Sequence, residues 1–121
     1  MGRKQTGILG EKAAQKYLKK HGYRIIETNY RTRFGEIDII ARHKDCIVFV
    51  EVRTKKSLEF GSPEESITTT KARHLRAAAR LYYQSHEKLP ENWRIDVIAI
   101  ELDENDKPKR INLIQSAVED E

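Results

Sequence analysis

The chain has 121 residues, 35% charged and 38% hydrophobic, which suits one globular domain over residues 1–121. No apolar run approaches the ~20 residues of a membrane span, so a membrane protein is not expected. Residues 1–56 hold 14 Lys/Arg against 6 Asp/Glu, residues 57–90 hold 5 against 4, and residues 91–121 hold 4 against 9, so a net charge of +4 hides a basic first half suited to a polyanion. The N-terminus lacks an apolar leader core, and the lone cysteine, Cys46, has no internal partner for a disulfide. Both point to a reducing cytoplasm. Four scattered histidines offer no zinc-like cluster.

Residues 5–21 predict a helix. Leu9, Ala13, Ala14, Tyr17 and Leu18 recur at helical spacing, Lys12, Gln15, Lys16 and Lys19 take the other side, and Gly22 follows a basic last turn. Glu11 falls at the edge of the apolar stripe. Three strands are expected next, at 23–30, 34–41 and 46–54, all rich in branched and aromatic residues. The polar link Arg42-His43-Lys44-Asp45 makes a hairpin of the second and third. Strict alternation puts Glu36, Asp38 and Ile40 on one face of the second strand, and Ile47, Phe49, Glu51 and Arg53 on one face of the third. Where those faces coincide, Asp38, Glu51 and Arg53 meet.

Residues 55–62 read as a mobile basic loop. Ser62, Pro63 and Glu65 form a capping-box pattern opening a helical stretch to about Glu87, interrupted near Thr68-Thr69-Thr70. Ala72, Leu75, Ala79 and Tyr82 supply its apolar stripe. A fourth strand at 94–102 carries Asp96, and a polar turn leads to a fifth at 110–115. The order αβββαββ argues for an α/β fold with a mixed central sheet of about five strands flanked by helices.

The carboxylates decide the chemistry. A buried, unpaired carboxylate is costly, so Asp38 and Glu51, set in apolar strands, are expected to be paired, hydrogen-bonded or metal-bound. Magnesium prefers oxygen ligands, neutralises phosphate charge and activates water. The pair therefore predicts a Mg2+ (or Mn2+) site for phosphodiester hydrolysis, with Arg53 placed to bind phosphate. A structural ion-pair network with Arg53 and Arg33 uses the same residues. Asp96 is expected to pair with a basic side chain inside the fold, and Tyr82, Tyr83 and Trp93 to be packing residues. Lys55, Lys56, Lys71, Arg73, Arg76 and Arg80 are the candidate nucleic-acid surface, giving salt-sensitive affinity with little sequence preference.

Asp38, a spacer of twelve residues, and Glu51-Val52-Arg53 resemble the PD-(D/E)xK nuclease pattern. The chain is more similar still to the uncharacterised bacterial YraN-like family, related to archaeal Holliday-junction resolvases. Shared marks are Gly10-Glu11 with Ala14, Gly35-Glu36-Ile37-Asp38, Phe49-Val50-Glu51-Val52-Arg53, Phe60-Gly61, Lys71 and Arg94-Ile95-Asp96-Val97, which span nearly the whole chain. The resemblance implies a restriction-endonuclease-like core, Asp38 and Glu51 as metal ligands, Glu11 as an auxiliary acid, and branched or damaged DNA as substrate. It also raises a homodimer, since two symmetric sites suit a branched substrate. Arg53 stands where the superfamily pattern has lysine, and arginine stays charged rather than acting as a general base. Lys55 or Lys71 are candidates for the missing ammonium. A module that binds nucleic acid without cutting it is the alternative, and a protein adaptor docking a basic partner on the acidic 91–121 segment is a third reading.

Overall fold

Helix α1 (Arg3–Lys20) forms where the apolar stripe predicts it. It ends in a left-handed stop: Gly22 has φ 87°, its N–H donates to Lys19 O at 3.3 Å, and Tyr23 N–H reaches back to Leu18 O at 2.9 Å. Leu18 and Tyr23 are both buried in one cluster, the apolar contact that accompanies such stops. The computed structural model describes residues 3–57 and 61–118. Residues 58–60 of the predicted basic loop, Phe60 among them, and residues 119–121 of the acidic tail lie outside the described residues.

Strands β1 (Arg24–Thr32), β2 (Gly35–His43), β3 (Cys46–Lys55), β4 (Asn92–Leu102) and β5 (Pro108–Val118) form one sheet in chain order. Three neighbouring pairs are antiparallel, whereas β3 and β4 run parallel. A parallel pair needs a crossover, and here it holds a 3-10 turn (Glu64–Ser66) followed by helix α2 (Thr69–Ser85). The result is a mixed α/β fold of order αβββαββ, as the residue pattern predicts.

The helices cover separate cores. Ala14 and Leu18 of α1 pack with Ile39, Val48, Val50 and Ile98, while Leu75, Ala79 and Tyr82 of α2 pack with Ile40, Phe49 and Ile95. Central strands covered on both sides must be apolar on both faces, which explains the near-continuous hydrophobic run of β4. Within it, Asp96 is fully buried and fully engaged. Arg94 Nε donates to it at 2.9 Å, Ser116 N–H at 3.0 Å and the Tyr23 hydroxyl at 3.3 Å. This is the internal pairing expected of Asp96.

The long helical stretch divides where the threonine run predicts. The reciprocal bonds of the capping box form, Ser62 N–H to Glu65 Oε1 at 3.1 Å and Glu65 N–H to Ser62 Oγ at 3.3 Å, but they close the 3-10 turn. Thr68 is extended and caps α2 itself, its Oγ1 accepting Lys71 N–H at 3.0 Å.

Candidate functional site

The β2–β3 ladder runs from His43 opposite Cys46 to Ile39 opposite Val50 and stops there. Side-chain alternation along β2 slips at the same place. Ile39 and Ala41 pack in the α1-side core, but Ile37 and Ile40 both pack in the α2-side core. Glu36, Asp38 and Ile40 therefore do not share one face, because the strand steps at Asp38. Past the last ladder pair, the Asp38 carboxylate takes over as acceptor: its Oδ2 receives Val52 N–H at 2.8 Å.

Glu51 comes from the neighbouring strand and is 1% exposed. Its Oε2 is reached by Arg53 Nη1 at 3.3 Å and by Lys71 Nζ, from the first turn of α2, at 3.4 Å. No donor among the described residues reaches its other oxygen, Oε1. The Glu51 carboxylate is close enough to that of Asp38 for its charge to act on it. Burial, then the charge of Glu51 and more weakly that of Glu11, push the Asp38 carboxyl from its ordinary 3.8 up to about 8, against the pull of Val52 N–H. The ion-pair network foreseen around these acids includes Arg53 and Lys71. Arg33 stays outside it, its guanidinium 4.9 Å from the centre of the Phe34 ring.

Arg53 is held from the side. Its Nε donates to Ser66 Oγ at 2.7 Å and its Nη2 to Ser66 O at 3.3 Å, tying β3 to the 3-10 turn. It lines an open cleft of about 740 Å³ together with Glu11, Glu36, Asp38, Lys55 and Lys56. Glu11 enters from α1 across this cleft. Asn29, with φ 53°, bridges Glu11 and Glu36, its Nδ2 donating to the Oε1 of each at 2.8 and 2.9 Å. Glu36 also meets a basic neighbour, Arg31, at 3.3 Å. Residue pattern alone left Glu36 out of the site; its place two residues before Asp38 was the available signal.

The six predicted cations do not form a single face. Lys55 and Lys56 line the acidic cleft, with Lys56 Nζ 2.9 Å from Asp106. Lys71 stands against Glu51. Arg73 is exposed on α2, Arg80 lies farther along that helix, and Arg76 lines a separate cleft of about 330 Å³ with Thr68 and Val118.

The implied divalent cation can be tested against these residues. Asp38 and Glu51 offer hard oxygen donors on adjoining strands, and a buried carboxylate oxygen without a donor is the kind of atom a cation satisfies. The donor set fits Mg2+ or Mn2+.

Fold and cleft together define a mixed-sheet α/β protein with an acidic cleft where two central strands part. The pattern defining the uncharacterised protein family UPF0102 matches residues 10–100, and the chain belongs to that family. The UPF0102 protein of Caldicellulosiruptor bescii is 46% identical over 120 residues, covering 97% of this chain and 99% of the relative. That of Dehalococcoides mccartyi is 44% identical over 119 residues, covering 98% and 97%. The UPF0102 protein of Caldicellulosiruptor saccharolyticus is 42% identical over 117 residues, covering 97% and 99%. This bacterial family is consistent with the YraN-like resemblance. Among the described residues, no helix is long and apolar enough to cross a membrane.

Proposed function

We propose that the chain is a divalent-metal-dependent nuclease that hydrolyses phosphodiester bonds in DNA, with branched or damaged DNA as the favoured substrate. The observation that carries this reading is the Asp38–Glu51 pair, two electrostatically coupled carboxylates on adjoining strands beside an open cleft, one of them buried with an oxygen that no described donor reaches. When bound there, Mg2+ or Mn2+ supplies charge neutralisation at phosphate and a more acidic water.

The chain's own residues do the positioning. Val52 N–H fixes Asp38, while Arg53 and Lys71 fix Glu51, so both ligands are preorganised. Lys55 and Lys56 bind backbone phosphates at the cleft and orient the strand across it. Arg53 adds fixed positive charge beside the scissile phosphate and takes no proton from water.

The test is cleavage of linear, flap and four-way-junction DNA by the purified chain with Mg2+ or Mn2+. Cleavage is expected to vanish on chelation and in Asp38→Ala. Failure on all three substrates sinks the catalytic reading. A specific observation favours a second one: the Arg53 guanidinium is committed to Ser66 and Glu51, which suits a scaffold that binds nucleic acid without cutting it. Salt-sensitive DNA binding unchanged by metal and by Asp38→Asn selects that alternative.

A further inference from the structure

Resting on that reading, we infer that the tip of the β1–β2 hairpin and the adjoining turn of α2 form a second phosphate-gripping surface, which holds the duplex nucleic-acid arm that continues beyond the cleft. The tip carries Arg31 and Arg33, both exposed, and Gly35 sits against α2, where a Cβ on it would come within 3.9 Å of His74 Cβ. Arg73, the neighbour of His74 on that turn, is exposed too. Three arginines from two elements therefore share one corner of the fold.

The tip is built to hold its shape. Thr32 Oγ1 donates to Gly35 O at 2.8 Å and accepts Phe34 N–H at 3.0 Å, closing the turn from both sides. Gly35 takes φ 134°, a backbone that residues with side chains rarely adopt. Phe34 packs on the α2-side core, and the Arg33 guanidinium rests 4.9 Å from the centre of its ring. The charge of Arg33 thus lies on an aromatic face rather than on a carboxylate. A cation ordered in advance loses less freedom when a phosphate arrives.

Position relative to the cleft decides the partner. Glu36, which lines the cleft, is the ladder partner of Arg31 and meets its guanidinium at 3.3 Å. That pair is weak, the Arg31 side chain being 85% exposed, so a phosphate is expected to take the place of Glu36. The basic corner is thus continuous with the cleft rim at β2, whereas Lys55 and Lys56 line the cleft at the end of β3. A phosphodiester seated between these two groups belongs to a polymer charged at every step, and its flanking phosphates call for cations on both sides. Arginines placed on phosphates fix the register of a duplex without reading its sequence.

The experiment follows a fluorescent DNA duplex by anisotropy across a salt series, with the full chain in chelator so that no metal contributes. Arg33→Ala combined with Arg73→Ala is expected to lower the slope of log affinity against log salt by about 1.8, at about 0.9 for each cation removed. Arg33→Lys with Arg73→Lys should keep the wild-type slope. Lys16→Ala with Lys19→Ala, the same charge change at exposed positions of α1, should keep it too, with circular dichroism reporting that every variant is folded. An unchanged slope in the double arginine-to-alanine variant overturns the inference, as does an equal fall in the α1 variant, which makes the effect one of net charge. Wild type that binds vesicles of anionic phospholipid but not the duplex assigns the corner to a lipid surface and overturns it as well. Cleavage with Mg2+ reports separately on the nuclease reading. A cut substrate with an unchanged slope sinks the surface alone, and a lowered slope with no cleavage sinks the catalysis alone.

Discussion

A carboxyl held at about 8 reverses the usual link between acidity and stability. The unfolded chain restores Asp38 to its ordinary 3.8, so between those values the native state holds more protons than the unfolded state. The Asp38 contribution is therefore complete below about pH 4 and drains away as pH rises through about 8. In the absence of divalent metal, Asp38→Asn is expected to raise the melting temperature at pH 8 more than at pH 5 and to flatten the decline between them. A tenfold change in proton affinity is worth about 1.4 kcal/mol, so the effect is within reach of thermal melts in chelator. Equal pH dependence in wild type and variant removes Asp38 as its source. Asp38 and Glu51 were legible because acids inside apolar strands contradict their surroundings. Glu36 was not, since its contribution depends on a step in β2 alternation and on the left-handed backbone of Asn29, and neither leaves a mark in the residue pattern.

At the scale of elements, the site depends on how closely α1 approaches β3. Gly10 is buried, and a Cβ there overlaps the Thr54 side chain, so that side chain packs directly on the bare α1 backbone. Glu11 follows directly, and the packing of Gly10 sets the height at which its carboxylate meets Asn29 and the cleft. Gly10→Ala is expected to cost about 1–3 kcal/mol by overpacking and to weaken Mn2+ binding by shifting Glu11. Adding Thr54→Ala should recover much of the stability, measured by denaturant unfolding; no recovery in the double variant rules out this contact as the cause. The other tether is the 3-10 turn, where Ser66 grips Arg53 and Glu64 is held down to about 2 chiefly by its bonds to Arg110 and Asn112 on β5. Element order and the threonine break before α2 could be read from spacing. The separate turn could not, because a capping box opens a 3-10 turn and an α-helix with the same residues.

Across the whole molecule, the uneven charge meets the fold at the cleft. The basic half contributes Lys55 and Lys56 to its lining, while the third segment meets it as acid: Asp106, from the turn before β5, holds Lys56. That ion pair is partly exposed and therefore weak, so a phosphate is expected to displace Asp106 at little cost. Neutralising phosphates releases counterions, and each lysine so used adds about 0.9 to the slope of log affinity against log salt on duplex DNA. Replacing both Lys55 and Lys56 by alanine is thus expected to lower that slope by about 1.8 and to weaken binding similarly across sequences. Arg76, which lines the separate cleft beside Thr68, is the control: Arg76→Ala should leave the slope within about 0.5 of wild type. A salt titration by fluorescence anisotropy decides between them. If the double lysine variant keeps the wild-type slope while Arg76→Ala lowers it, the nucleic acid runs along α2 and the acidic cleft is not where it binds.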